Sequence, residues 1–339
     1  MRATSAPMQY RDYAAVLAVA LLCSTSFGGD SAPVAEPAVT LQHDMAGDQD
    51  DLCFWRNDAD PALSLVITSD KKAHLIAVYD LDGELLQTLP LPKPGNIDLR
   101  RHVPLGGSVR DVVAVNIREE GGKLALLEVD PQSRRLQRLD DGTLVTGPNY
   151  GVCLYHRADP ARLDAILTSE TGAIRQFEIT WTPDNRPGLR LARQWDIGKA
   201  EAAVADDAAG KLYVSEEEGG VWLLDADEAS PAPGDLVVRL GEIGLEADLE
   251  GVALSGNWLL LSCQGQNRVY VYDRSAGHAL VGTFQVAGAQ ETDGIDIITD
   301  ACGAKFPEGI FGCHTSATTP CPVLLTPWEK IDGQLHGRP

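Results

Sequence analysis

Two kinds of short apolar segment recur along almost the whole chain. The first ends in Thr, Ser, Asn or Cys: Leu65-Val66-Ile67-Thr68, Val112-Val113-Ala114-Val115-Asn116, Ala165-Ile166-Leu167-Thr168, Leu212-Tyr213-Val214-Ser215, Leu259-Leu260-Leu261-Ser262 and Ile310-Phe311-Gly312-Cys313. The second kind follows about ten residues later and often ends in Asp, as in Ala77-Val78-Tyr79-Asp80, Leu127-Glu128-Val129-Asp130, Val221-Trp222-Leu223-Leu224-Asp225 and Tyr270-Val271-Tyr272-Asp273; Arg175-Gln176-Phe177-Glu178-Ile179 fills the remaining place. Turn signals such as Asp80-Leu81-Asp82-Gly83 come next, then a further strand such as Leu85-Leu86-Gln87-Thr88-Leu89. The unit is a meander of short antiparallel strands with a period of about 48 residues, and six units fill most of the chain. Such sheets bury both faces only when packed radially, which predicts an all-β fold, a six-bladed β-propeller. No amphipathic helical stretches alternate with the strands, which argues against α/β folds. A parallel β-helix, the structural rival, usually has shorter turns and lacks the hairpin signals.

Arg2 and Arg11 flank the start of the chain, and an uncharged apolar run of about 11 residues follows from Tyr13 to Cys23. That length suits a signal peptide and is too short to span a bilayer. The expected organisation is a signal peptide at 1–28, a Pro- and Ala-rich flexible linker at 29–45 and the propeller at 46–335. The protein is therefore expected to be exported, periplasmic or extracellular. Lipid anchoring through Cys23 is left open, and the mature chain is expected to be a monomer without a transmembrane segment. Six cysteines remain after the leader, with one bridge expected within the trio Cys302, Cys313 and Cys321 and with buried free thiols as the alternative for Cys153 and Cys263. The formal net charge of -21 opposes nucleic acid and anionic membranes and suits divalent cations.

In a propeller the loops that enter and leave the inner strands converge on the channel mouth. The acids fall at such places: Asp50 and Asp51, Asp98, Glu201 ahead of Asp206-Asp207, Glu216-Glu217-Glu218, Asp248 and Glu250, and Glu291, Asp293 and Asp296. Converging carboxylates repel one another, and a hard cation relieves the repulsion; calcium accepts six to eight oxygens in loose geometry. No EF-hand spacing is present, so loops from separate blades would have to assemble any calcium site. An ordinary solvated acidic face is the competing expectation. Lys71, Lys72, Arg100 and Arg118 lie near the same mouths and suit phosphate, although Lys71-Lys72 taken alone reads more readily as a solvated turn.

At these residues the chain resembles the β-propeller phytase family, calcium-dependent alkaline 3-phytases, from about Asp50 to Trp328. Asp50-Asp51-Leu52-Cys53-Phe54-Trp55, Thr68-Ser69-Asp70-Lys71-Lys72, Asn96-Ile97-Asp98-Leu99-Arg100 and Tyr150-Gly151-Val152-Cys153 match early landmarks. Later matches are Ser215-Glu216-Glu217, Asp248-Leu249-Glu250-Gly251, Thr292-Asp293-Gly294-Ile295-Asp296 and Phe306-Pro307-Glu308-Gly309. The resemblance implies that Glu201, Glu217 and Glu250 hold active-site calcium, and that Asp50, Asp51, Asp98 and Asp293 belong to acidic, metal-holding loops. It also implies that Lys71, Lys72, Arg118 and Tyr150 contact substrate phosphates, with Lys72 and Arg118 catalytic alongside the three glutamates.

The chain departs from the family in four places. The family's Asn-Phe-Lys stretch in the last blade has no clean match before Trp328. Glu170 stands where a lysine is usual, Ala202 follows Glu201 in place of Gly, and His314-Thr315-Ser316 replaces a Gln-Asp-Gly segment in the last blade. The implied activity is calcium-dependent phosphomonoester hydrolysis of myo-inositol hexakisphosphate (phytate) and related inositol phosphates by metal-activated water. The alternative is a non-catalytic calcium-binding propeller that holds a phosphorylated ligand or a protein at the cell surface.

Overall fold

The computed structural model describes residues 32–119, 121–227 and 234–336. The expected signal peptide and Cys23 lie outside the described residues. Two short strands come first, β1 (Val34–Ala35) and β2 (Val39–Leu41). Blade one is β3 (Gln49–Trp55), β4 (Leu65–Asp70), β5 (Leu75–Asp80) and β6 (Leu85–Pro90). Blade two is β7 (Pro94–Leu105), β8 (Ser108–Ile117), β9 (Lys123–Asp130) and β10 (Arg135–Arg138). Blade three is β11 (Val152–Arg157), β12 (Arg162–Leu167), β13 (Ala173–Trp181) and β14 (Pro187–Asp196). Blade four is β15 (Ala200–Asp206), β16 (Lys211–Glu216), β17 (Gly220–Asp225) and β18 (Asp235–Arg239). Blade five is β19 (Leu249–Ser255), β20 (Trp258–Cys263), β21 (Arg268–Asp273) and β22 (Ala279–Val286). Blade six is β23 (Ile295–Ile298), β24 (Ile310–His314) and β25 (Val323–Pro327), followed by the helix α1 (Trp328–Leu335).

The first strands of the blades line the axis in order, and β23 returns to β3 to close the ring. The conspicuous apolar segments of the sequence are the second and third strands of each blade. The inner strands are less regular in sequence because they carry the acids and the bulges described below. Each gap between neighbouring blades holds its own apolar cluster. Ile67 and Val78 meet Val113 and Val115 between blades one and two, and Leu41 and Tyr79 meet Leu325 and Phe306 between blades one and six. Side chains of this size stabilise the fold by about 1.5–3 kcal/mol each when fully buried.

The segment expected as a linker is partly structural. β2 pairs antiparallel with β25, Val39 opposite Leu325 and Leu41 opposite Val323, and so becomes the outer strand of blade six. β1 adds in parallel to β22 at the edge of blade five. Hydrogen bonds between distant parts of the chain thus close the ring and cover two strand edges.

The expected disulfide also does not form. The six described cysteines are buried and unpaired. Cys302 packs between blades six and one, Cys313 packs between blades five and six, and Cys321 lies beside Asp48. Among the described residues, no helix is long and apolar enough to cross a membrane.

Candidate active site

Antiparallel order brings the start of each inner strand, the turn after the second strand and the start of the third to one face of the ring. Lys71 and Lys72 lie in the β4–β5 turn, Arg118 follows β8, Glu170 lies in the β12–β13 turn and Glu217 in the β16–β17 turn. Asp50, Glu201 and Glu250 are each the second residue of an inner strand. In all three strands the register slips at that place: between Gln49 and Asp51, between Ala200 and Ala203, and between Leu249 and Val252. A bulge of this kind re-aims a side chain out of the regular alternation.

The result is a buried cluster. Glu201, Glu217 and Glu250 are 6%, 7% and 6% exposed, and one carboxylate oxygen from each lies within 4.8 Å of the others. Arg118 Nη2 donates to Glu201 Oε1 at 2.7 Å and lies 3.5 Å from Asp50 Oδ2. Its Nε donates to the Tyr150 carbonyl at 3.0 Å, and its guanidinium stacks 4.5 Å from the Tyr150 ring centre. Lys71 Nζ donates to Asp50 Oδ1 at 2.6 Å and lies 3.8 Å from Asp293 Oδ2. Lys72 is largely exposed and lies 3.3 Å from Asp48 Oδ2.

Burial sets the protonation of the cluster. It pushes Glu250 up to about 11, helped by the hydrogen bond and the charge of Glu201. Burial also opposes ionisation of Glu201, but hydrogen bonds from Glu250, Arg118 and Tyr150, with the charge of Arg118, hold it below its ordinary value. Glu217 is raised by burial despite Lys199, and burial lifts Asp293 to about 7. Burial and the neighbouring Glu201 hold the Tyr150 phenol well above its usual range, so it stays protonated. Glu217 Oε1, Glu250 Oε2 and Asp50 Oδ2 are buried without a hydrogen-bond donor. Buried carboxylate oxygens without donors are costly, and an all-oxygen set of this kind fits a hard divalent cation.

Asp51 and Asp98 have a different job. Asp51 Oδ1 accepts from the N–H of Leu52 at 2.8 Å, and Oδ2 accepts from Ile97 of blade two at 3.1 Å. Asp98 repeats this with Leu99 at 2.7 Å and Leu154 of blade three at 2.7 Å; Asp296 repeats it with Ile297 at 2.7 Å and Phe54 of blade one at 3.0 Å. Arg100 Nη1 also binds both Asp98 oxygens at 2.9 Å. These carboxylates tie one inner strand to the next along the wall of a central channel of about 480 Å³. With backbone donors on both oxygens, Asp51 and Asp98 serve as ties between neighbouring inner strands.

Two neighbours were not picked out from the sequence. Lys199 Nζ donates to Glu217 Oε2 at 2.6 Å and lies 5.6 Å from the Tyr150 ring centre. The exposed Glu170 acts on Lys199 by charge. Lys199 stands two residues before Glu201, and only the folded inner strand reveals its closeness to Glu217. Gln264 Nε2 donates to Asp293 Oδ1 across the same rim.

The model of the phytase family matches residues 19–319. A curated 3-phytase of Bacillus subtilis (strain 168) is 31% identical over 279 residues, covering 77% of this chain and 73% of that protein. The chain belongs to the phytase family. It is a phosphoric monoester hydrolase, and the buried glutamate cluster with its ring of cations is the candidate centre for that chemistry. Among solved structures, the β-propeller domain of Myceliophteria_thermophila Cps50 (Swd1) is similar with a TM-score of 0.53 at 13% identity, covering 86% of this chain and 98% of that one. A chain of a nidogen/laminin complex gives a TM-score of 0.52 at 16% identity, covering 76% of this chain and 87% of that one. Both likenesses show the fold alone.

Proposed function

We propose that this phytase-family propeller hydrolyses phytate and related inositol phosphates with calcium held by Glu201, Glu217 and Glu250, Asp50 and Asp293 adjoining them. The observation that carries this reading is the set of donorless buried oxygens on Glu217, Glu250 and Asp50. Calcium, when bound, supplies charge neutralisation for neighbouring phosphates and acidifies water for attack on phosphorus. The chain's own groups bind and orient the substrate. Lys72 and Lys199, with side chains 62% and 46% exposed, reach outward to take the outer phosphates of a polyanionic ring. Arg118 is fixed by Glu201, Asn96 and the Tyr150 carbonyl, so its guanidinium meets phosphoryl charge with little reorganisation. Lys71, clamped by Asp50, holds the inner carboxylates in place. The protonated Tyr150 supports Glu201 and Arg118 rather than acting as a nucleophile. Water attacks phosphorus in line and the inositol oxygen leaves, giving inorganic phosphate and a lower inositol phosphate.

Export to the periplasm or the medium, from the apolar run at residues 13–23, belongs to the same proposal. The test compares phosphate release from phytate, from a simple monoester and from a cyclic nucleotide, with calcium present. Preference for phytate, weakened at least about tenfold in Arg118→Ala, is expected. Binding of phytate without phosphate release would instead favour a non-catalytic propeller.

A further inference from the structure

Beside the glutamate cluster lies a group of different chemistry. Asp48, His314 and Cys321 are all buried, and one donor atom from each lies within 4.8 Å of the others. Three separate pieces of chain meet there. Asp48 and Cys321 form a parallel β-bridge, and His314 ends β24 with its N–H bonded to the Gly294 carbonyl at 3.0 Å. We propose that Asp48, His314 and Cys321 form a second metal site, built for a borderline-soft divalent ion of the zinc class.

The donor set decides the class of ion. Calcium and magnesium take oxygen ligands, whereas one carboxylate oxygen, one imidazole nitrogen and one thiolate sulfur suit zinc. The imidazole faces the Asp48 carboxylate. The His314 side chain is 0% exposed, and Nε2 lies 3.3 Å from Asp48 Oδ1, an ion pair when the ring is protonated but without a hydrogen bond of sound geometry. An ion between Nε2, Oδ1 and Sγ takes the place of that proton and completes the contact.

The surroundings support the ligands. Asp293 meets the far side of the ring with two groups: its N–H donates to His314 Nδ1 at 3.3 Å and its Oδ2 lies 3.5 Å from the same nitrogen; with Nε2 on an ion, the ring proton sits on Nδ1 and turns to Oδ2. Asp48 divides its two oxygens: Oδ2 lies 3.4 Å from Lys71 Nζ and 3.3 Å from Lys72 Nζ, while Oδ1 faces the imidazole. Binding displaces protons from the imidazole and the thiol to solvent, leaving a neutral imidazole and a thiolate on the ion. Residues 317–319, between His314 and Cys321, are exposed and offer an approach to the site. Three protein ligands leave a fourth position of a tetrahedral ion free. The site stands whether or not the glutamates hold calcium.

Cobalt(II) is the probe, because a tetrahedral thiolate site gives it intense visible bands and a near-ultraviolet sulfur-to-metal band. The full mature chain, stripped of metal and kept in excess calcium to occupy oxygen-only sites, is titrated with cobalt and then with zinc. The expected result is one tight cobalt ion with both signatures, displaced by zinc. Cys321→Ser removes the sulfur band, His314→Gln weakens cobalt binding at least about tenfold, and Glu250→Gln changes neither. No sulfur band in the parent chain, or the same band in Cys321→Ser, overturns the proposal. If Cys321→Ser fails to fold, the His314→Gln affinity decides: unchanged cobalt affinity there overturns it equally.

Discussion

Glu250→Gln should have opposite effects on stability with and without calcium. In the metal-free protein, burial and Glu201 raise Glu250 from an ordinary 4.5 to about 11. A carboxylate with a raised folded-state pKa stabilises the fold fully below its ordinary value, and that stability is lost as pH rises towards the folded value. At pH 7, two and a half pH units above the ordinary value, the loss amounts to about 3 kcal/mol. Glutamine cannot ionise and keeps a hydrogen bond to Glu201. In excess chelator at pH 7 the variant should therefore be more stable by about 1–3 kcal/mol, with Tm higher by roughly 2–6 °C. The gap should close as pH falls towards 4.5. With calcium at about a thousandfold excess over Kd the order should reverse, because the parent gains about 4.1 kcal/mol while the variant has lost a charged ligand. Thermal unfolding by circular dichroism, in chelator and in calcium, reads both signs. A variant less stable in chelator, or one that gains as much from calcium as the parent, would refute the reasoning.

Asp98→Ala should destabilise by about 1–3 kcal/mol in urea unfolding, since it leaves the Leu154 N–H without its acceptor and takes one of two carboxylates from Arg100, while the rate of phosphate release per folded molecule stays the same. A selective loss of calcium affinity would instead restore Asp98 as a ligand. Glu170→Lys at saturating calcium should lower KM for phytate by up to about tenfold, and change a substrate with one phosphate less, because it exchanges repulsion for attraction beside Lys199. An unchanged KM would show that Glu170 stays clear of the substrate. Calcium binding at pH 7 should release protons, chiefly from Glu250, in an unbuffered titration; Glu250→Gln should release fewer.

The blades were legible because β-branched strands and Asp/Gly turns repeat with one period, and that period survives in the second and third strands of each blade. Glu201 and Glu250 were legible as acids at strand starts and Glu217 as an acid that closes a strand, but their convergence depends on the folded ring, and the bulges at Glu201 and Glu250 leave no clear mark in the sequence. An Asp in an inner strand reads alike whether its carboxylate turns to the mouth or across to the next blade, so Asp51 and Asp98 were grouped with Asp50. β1 and β2 are too short to show any periodicity, and Pro and Ala around them suggest a tether. Their pairing energy comes from partners some 250 to 290 residues away along the chain. Lys199 and Asp48 could be recognised only once the fold set Glu217, from the same blade, and His314, from the neighbouring blade, beside them.

The most direct measurement is phosphate release from phytate by the mature chain while free calcium is titrated from excess chelator upward. Activity absent in chelator, rising with calcium and lost in Glu217→Gln and Glu250→Gln, is the predicted result. Undiminished release in excess chelator, or no release at any calcium concentration, would contradict a calcium-loaded glutamate cluster as the centre of this enzyme.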